Sequence, residues 1–332
     1  MQNILLTVPV GGTRDKYFPP QLMARLEALG ALTVNPHRRQ YTRDELMTLL
    51  PDADIVITHW GSPQYDAALL ACAPRLRVLA HCAGTVAHIA SETCYERDIP
   101  VLSANPVMAK YVAEGALAYI LAGVRALGAY DRNMRAGRWH EEMPPTQTIV
   151  GGSIGLVGLG AVGRNLLDLL RPFGCTVNVY DPYLPSGALD AWDFASHCTF
   201  SAAMANPVVS VHASQTPETY HMIDAAALAQ MPDDGLLVNT ARGSLIDTDA
   251  LIPELQSGRL RAVLDVYEHE NCPQDARLLA CTKNLTLQPH LAGMPSGAAM
   301  TAAIIDDLER LVRGEPLRMT VSHAQYLHMT QE

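Results

Sequence analysis

Over the first hundred residues, short runs of continuous apolar character alternate with segments whose apolar positions recur every three to four residues. Residues 4–8, 55–58 and 78–81 read as strands, and residues 21–29, 43–50 and 65–71 read as helices. Strands without a polar face, separated by helices, predict a parallel sheet covered on both sides. A second set of strand and helix units begins near Ile149 and runs to Pro289. Between the sets lie a long apolar helix, 109–128, and a polar stretch, 131–147, that contains Trp139; after Pro289 comes a further helix, 298–312. The pattern predicts an α/β chain that crosses twice between two domains. A discontinuous outer domain, 1–108 plus 293–332, receives an inserted domain, 109–292. Residues 321–332 have no clear pattern and are expected to form a poorly ordered tail.

One turn in the inserted domain carries chemistry. The apolar segments 149–150 and 153–157 lead into Gly158-Leu159-Gly160-Ala161-Val162-Gly163, and residues 163–170 continue as a helix. Strand, glycine turn and helix in that order present backbone N–H groups, those of Ala161 and Val162 among them, at a helix N-terminus, where a pyrophosphate is stabilised. Gly158 would permit the tight turn, Gly160 the close approach of a phosphate, and Gly163 the packing of helix on strand. The next strand, 176–180, ends at Asp181, within reach of an adenosine ribose. A carboxylate there accepts from ribose hydroxyls and repels a 2′-phosphate, which favours NAD over NADP. The bland alternative is an apolar strand, a loop and an unrelated surface Asp.

The 332 residues include 24 basic and 34 acidic side chains, a formal net charge of −10, with no basic run. That balance disfavours nucleic acid as a partner and leaves room for a small anionic substrate. Seven cysteines, at 72, 82, 94, 175, 198, 272 and 281, form no C-x-x-C pair and no metal-type cluster with histidine. They fit reduced thiols and a cytoplasmic protein, with no metal expected. The N-terminus reads as a strand rather than a signal peptide, and Arg125 interrupts the best apolar run, 116–130, so no membrane span is expected.

Downstream, three strand ends carry polar groups. Asn239-Thr240-Ala241-Arg242-Gly243 follows the apolar run 235–238, and a guanidinium at Arg242 can clamp a carboxylate with two parallel hydrogen bonds. Asp265 stands near the end of the strand 262–266, Glu270 lies five residues beyond it, and His290 follows Pro289 at another strand end. A histidine beside a carboxylate can donate a proton to a ketone oxygen and take one from an alcohol. Read singly, Arg242 is equally a surface ion-pairing residue, His290 a solvated histidine and Asp265 a loop cap.

Together with Thr216-Pro217-Glu218-Thr219, residues 264–270 and Pro289-His290-Leu291-Ala292-Gly293, these motifs resemble the D-isomer-specific 2-hydroxyacid dehydrogenase family over nearly the whole chain. The resemblance implies two Rossmann-like domains with parallel sheets, the NAD domain being the inserted one. It implies NAD-dependent interconversion of a 2-keto acid and a D-2-hydroxy acid, with Arg242 on the substrate carboxylate and keto oxygen, His290 as acid/base and Glu270 orienting it. Asp265 would contact the nicotinamide end of NAD, and Thr240, Ala241, Arg242, His290 and Gly293 would join the cofactor site. From the outer domain, Ala83-Gly84-Thr85 would offer backbone N–H groups to the substrate carboxylate, Trp60-Gly61 would lie in a second loop facing the cleft, and domain closure would exclude water. A plain turn is the alternative for residues 83–85. The segment 116–139 resembles the arm through which the family forms homodimers; an amphipathic helix packed within its own chain is the alternative.

The chain departs from the family pattern at several positions. Asn271 stands where Pro is common after the Glu, Glu268 competes with Glu270, Gln288 replaces the usual Thr, and Thr85-Val86-Ala87-His88 lacks the usual Asp-Asn pair. Glu270 argues against formate oxidation, where Gln is typical. Phosphite oxidation and a NADH-sensing, corepressor-like binding protein keep the same Arg, Glu and His set. The substrate side chain has no simple code in the outer-domain loops.

Overall fold

The computed structural model describes residues 2–139, 143–270 and 275–330. Two units emerge, one from Met1–Met108 with Ser296–Glu332 and the other from Ala109–Pro295. The first holds five parallel strands, β1 (Gln2–Leu6), β2 (Gly30–Val34), β3 (Ile55–Thr58), β4 (Val78–His81) and β5 (Val101–Ser103), in the order β2-β1-β3-β4-β5. Alternate side chains feed opposite faces. Leu5, Val56, Leu79 and Val101 pack with Leu46, Leu69, Leu70 and Cys94 on one side. Ile4, Leu6, Ile55, Ile57, Val78 and Ala80 pack with Leu26 and with Met300, Ile304, Ile305 and Leu308 on the other. Those last four share one stripe of the helix Gly297–Arg313, so the chain's return supplies the cover for that face.

The apolar pattern misses β2 because the helix Pro20–Leu29 runs into it without a turn. Gly30 makes the junction feasible, since a Cβ there would overlap the Gln2 carbonyl oxygen. The expectation of a poorly ordered tail is corrected through residue 330. Ser103 N donates to Met319 O at 2.9 Å and Val321 N to Val101 O at 2.8 Å, which gives the β5 edge a partner. A capping box of Ser322 and Gln325 then starts the helix His323–Leu327, and Tyr326 and Met329 lie against the core. Five residues are too few to show a helical period in sequence.

The second unit is a seven-stranded parallel sheet. Its strands are β6 (Ser153–Val157), β7 (Thr176–Tyr180), β8 (Ala195–His197), β9 (Val208–Val211), β10 (Gly235–Asn239), β11 (Leu260–Leu264) and β12 (Leu285–Leu287), in the order β12-β11-β10-β9-β6-β7-β8. Chain order reverses between β6 and β9, the place where doubly wound sheets bind ligands beyond their strand ends. β8, an edge strand of Ala, Ser and His, carries no apolar signal. Gly155 sits under the helix Phe200–Met204, where a Cβ would overlap the Ala203 carbonyl oxygen.

The expectation that no apolar run could span a bilayer is also corrected. The helix Asn105–Val124 is long and apolar enough by length and composition, because Arg125 lies just past its end instead of within it. Its Ala113, Ala116, Ile120 and Val124 are buried in the second unit's core, and Gly123 abuts Leu236 and Val263. A left-handed Ala126, at φ 50°, separates it from the helix Leu127–Arg135, which extends into the stretch read as polar.

Two buried histidines end strands of the first unit. Burial pushes His59 down to about 4, and its ring lies 4.5 Å from that of Tyr17 and 4.4 Å from that of Trp60, centroid to centroid. His81, bonded through Nδ1 to the Thr58 hydroxyl at 2.9 Å, is held well below the ordinary value of 6.5 by burial and by neighbouring His59 and His88. The unfolded chain takes up protons that these imidazoles refuse in the native state, so stability is lost as pH falls through about 6.5. We expect a loss of roughly 2 kcal/mol by pH 5 from His59 alone. Urea unfolding at pH 7.5 and pH 5 measures it, and an unchanged midpoint would contradict the burial of uncharged His59.

Candidate active site

The glycine turn closes β6 onto the helix Ala161–Leu170. Gly158 adopts φ +94°, and its N–H donates to Tyr180 O at 2.8 Å. A Cβ on it would lie 2.6 Å from Ala213 N, so the turn passes directly beside the end of β9. On Gly163 a Cβ would lie 2.8 Å from Gly158 O. Gly160 differs: a Cβ there would meet nothing within 4 Å, and as the N-cap it offers no capping side chain to the first helical turn. An open cradle beside a helix N-terminus, with donors in its first turn, fits a dinucleotide pyrophosphate. The turn and Asp181 are also tied to each other. Asp181 Oδ2 accepts from Leu159 N at 2.9 Å and Oδ1 from Tyr183 N at 3.0 Å, so the carboxylate is fixed at the end of β7.

Farther along the sheet, β10, β11 and β12 are neighbours in parallel register, Asn239 opposite Leu264 and Leu264 opposite Leu287. Their C-terminal loops carry Arg242, then Asp265 and Glu270, then His290. The buried Asn239 side chain latches the first loop, accepting from Ala241 N at 3.0 Å and donating to Arg242 O at 2.8 Å. Arg242 Nη1 donates to Ala241 O at 2.8 Å. The hydroxyl of Thr240, buried on the same loop, has no hydrogen-bond partner within the described chain, a polar atom suited to a bound group. Gly243 lets the second loop pass against the first, because a Cβ would overlap the Tyr267–Glu268 peptide.

Glu270 Oε2 lies 2.8 Å from His290 Nδ1. Glu268, the competing carboxylate, instead meets His221 Nε2. The side chain of His290 is 47% exposed, which leaves the imidazole accessible to a small molecule. Its backbone is left-handed, φ +56°, a conformation that L-residues hold only when their surroundings impose it. The imposing contacts are His290 N to Asp265 O at 2.8 Å, Leu291 N to Asp265 Oδ1 at 2.8 Å and Ala292 N to Asp265 Oδ2 at 3.0 Å. Asp265 is itself fully buried, and its Oδ1 also accepts from Tyr119 OH at 3.1 Å. Tyr267 OH donates to Gln288 O at 2.9 Å and accepts from Gln288 N at 3.1 Å. Burial pushes this phenol up to about 12, which preserves the donor.

Sequence reasoning proposes Asp265 for the cofactor, and the structure finds its carboxylate engaged by its own chain. It gives no role to Tyr119 or Tyr267, whose signal in sequence is only an apolar helix position and a residue two past an acid. Gly293 follows Ala292 half-buried, and Asn271 lies outside the described residues. Residues 83–85 belong to the first unit. Ala83 and Gly84 are buried there, Gly84 beneath the Met108 methyl, and the Thr85 hydroxyl donates to Thr330 O at 3.1 Å. Among the described residues no group of three or more His, Cys, Asp and Glu is arranged to hold a metal ion.

Comparison with known proteins bears on this arrangement. Residues 117–292 match the family model described as D-isomer specific 2-hydroxyacid dehydrogenase, NAD binding domain. The chain is 32% identical over 265 residues to a D-3-phosphoglycerate dehydrogenase of Mycobacterium tuberculosis strain H37Rv, covering 77% of this chain and 48% of that one. It is 33% identical over 254 residues to a (S)-sulfolactate dehydrogenase of Chromohalobacter salexigens, covering 74% of this chain and 80% of the relative. The chain thus spans about half the length of the phosphoglycerate dehydrogenases it matches. In fold it is similar to a phosphoglycerate oxidoreductase from Rhizobium etli, with a TM-score of 0.80, 23% identity and coverage of 97% and 99%. From the glycine cradle to the loop of His290, all within the matched segment, the chain belongs to the D-isomer specific 2-hydroxyacid dehydrogenase family.

Proposed function

We propose that the protein interconverts a small 2-keto acid and the corresponding D-2-hydroxy acid with NAD. The observation that carries this reading is the 2.8 Å pairing of His290 Nδ1 with Glu270, on the strand end adjacent to the one that bears Asp265 and near the Arg242 loop in chain order across the sheet. NAD, when bound, supplies the acceptor or donor of a hydride at its nicotinamide. Gly158, Gly160, Ala161, Val162 and Gly163 would hold its pyrophosphate, Asp181 its adenosine ribose, and the loops bearing Thr240 and Gly293 its other end. Glu270 fixes Nδ1 of the imidazole, which leaves Nε2 to give a proton to a ketone oxygen or take one from a hydroxyl. Arg242 orients the substrate through its carboxylate and carbonyl oxygens. The backbone of residues 83–85 is assigned to the substrate carboxylate by family resemblance.

The same reading places the protein in the cytoplasm, in keeping with the free thiols of the six described cysteines. It also makes it a homodimer. Leu127 and Met134 on the helix Leu127–Arg135, and Trp139 beyond it, are 58%, 49% and 66% exposed, an apolar set that a second copy would cover. Sedimentation should find a dimer, and Leu127→Glu with Met134→Glu should yield monomers; a monomeric wild type would refute this part.

Oxidation of NADH and NADPH across a panel of 2-keto acids, with phosphite in the reverse direction, tests the reaction. His290→Ala should lower kcat by roughly 10²–10⁴-fold with NADH affinity retained. Arg242→Ala should lower kcat/KM by roughly a hundredfold or more. Wild-type rates in both variants would sink the mechanism. Asp181→Ala should reduce the preference for NADH over NADPH by roughly tenfold or more, and an unchanged ratio would remove Asp181 from cofactor selection.

A further inference from the structure

The left-handed His290 is set from behind by one face of a helix that is remote from it in sequence. Gly115 and Tyr119 are four residues apart on Asn105–Val124 and therefore project from the same side. At Gly115 the helix backbone lies so close to the loop that a Cβ would come within 2.9 Å of both Ala292 Cα and Cβ. One turn on, Tyr119 OH reaches Asp265 Oδ1 at 3.1 Å, the oxygen that also accepts from Leu291 N. The buried Asp265 carboxylate therefore collects three donors, two from the loop and one from the helix. Burial and the adjacent Asp265 push the Tyr119 phenol up, so it stays a donor.

We propose that Tyr119, with Gly115 one turn before it, is a positioning residue for His290. Glycine at 115 lets the helix seat Ala292, and the Tyr119 hydroxyl keeps the Asp265 carboxylate oriented to hold Leu291 N and Ala292 N. With both in place, His290 keeps the left-handed backbone that presents Nδ1 to Glu270. Tyr119→Phe removes one donor and preserves the ring; the loop then loosens, and the His290–Glu270 contact is populated less. The inference rests on the assignment of His290 and Glu270 as the acid/base pair.

The test reads His290 with and without turnover. In protein labelled with ¹³C-histidine, the His290 signal is identified by its loss in His290→Gln and followed at one fixed pH. In Tyr119→Phe its chemical shift should move from the wild-type position and its line should broaden as the contact with Glu270 is populated less. With any accepted 2-keto acid, kcat should fall roughly tenfold while KM for NADH stays within about twofold. Gly115→Ala, with the tyrosine intact, should move both readouts the same way. A variant whose melting temperature drops while the His290 signal and kcat stay at wild-type values overturns the inference. If the wild-type protein turns over no 2-keto acid, the functional reading fails instead, and the His290 signal still decides the role of Tyr119.

Discussion

Much of the second unit is organised around a buried carboxylate. Asp265 lies just past the end of β11 with no exposed surface, where an unsatisfied acid would cost several kcal/mol, and its environment answers every demand. The carboxylate accepts from two N–H groups of the 291–292 loop and from Tyr119, while its main chain receives His290 N and donates to Asn239 O at 3.0 Å. One residue thereby joins β10, β11, the loop beyond β12 and the helix Asn105–Val124. The backbone of His290 gains its fixed position from that internal anchor, and Glu270 holds the imidazole from the exposed side.

A second constraint is how closely backbones approach. Gly243 against the Tyr267–Glu268 peptide, Gly158 against Ala213 and Gly115 against Ala292 are contacts that a methyl group would push apart. They bring loops from separate strands, and the helix Asn105–Val124, within reach of one another with little intervening side chain. Gly160 has the opposite environment, open space, which supports its proposed place beneath a pyrophosphate.

The sequence makes some of this legible for identifiable reasons. Strands buried on both faces, such as β3 and β4, leave unbroken apolar runs, and their bounds agree with the expected 55–58 and 78–81. The glycine turn with Asp181 and the loops bearing Arg242, Glu270 and His290 are local motifs, so they can be named without a structure. What local pattern does not contain is the partner across space. The choice of Glu270 over Glu268 beside His290 depends on His221 occupying Glu268. Tyr119 reads as one more apolar residue of a core helix, and its hydroxyl gains a meaning only when Asp265 is placed against it. The edge strands β2 and β8 and the segment from 319 onward are short, and their order comes from main-chain pairing that composition does not record.

The return of the chain to its first sheet has a consequence for synthesis on the ribosome. The face made by Ile4, Leu6, Ile55 and Ile57 is covered by Met300, Ile304, Ile305 and Leu308, and β5 acquires its edge partner only at residues 319–321. About 200 residues separate β5 from the end of the covering helix, roughly 10–40 s of translation at 5–20 residues per second. Through that interval the strands of the first unit have Leu26 on this face but lack the cover of the returning helix, while the inserted unit is being made. The first unit is thus begun before the second and finished after it, and its strands carry an aggregation hazard while they wait.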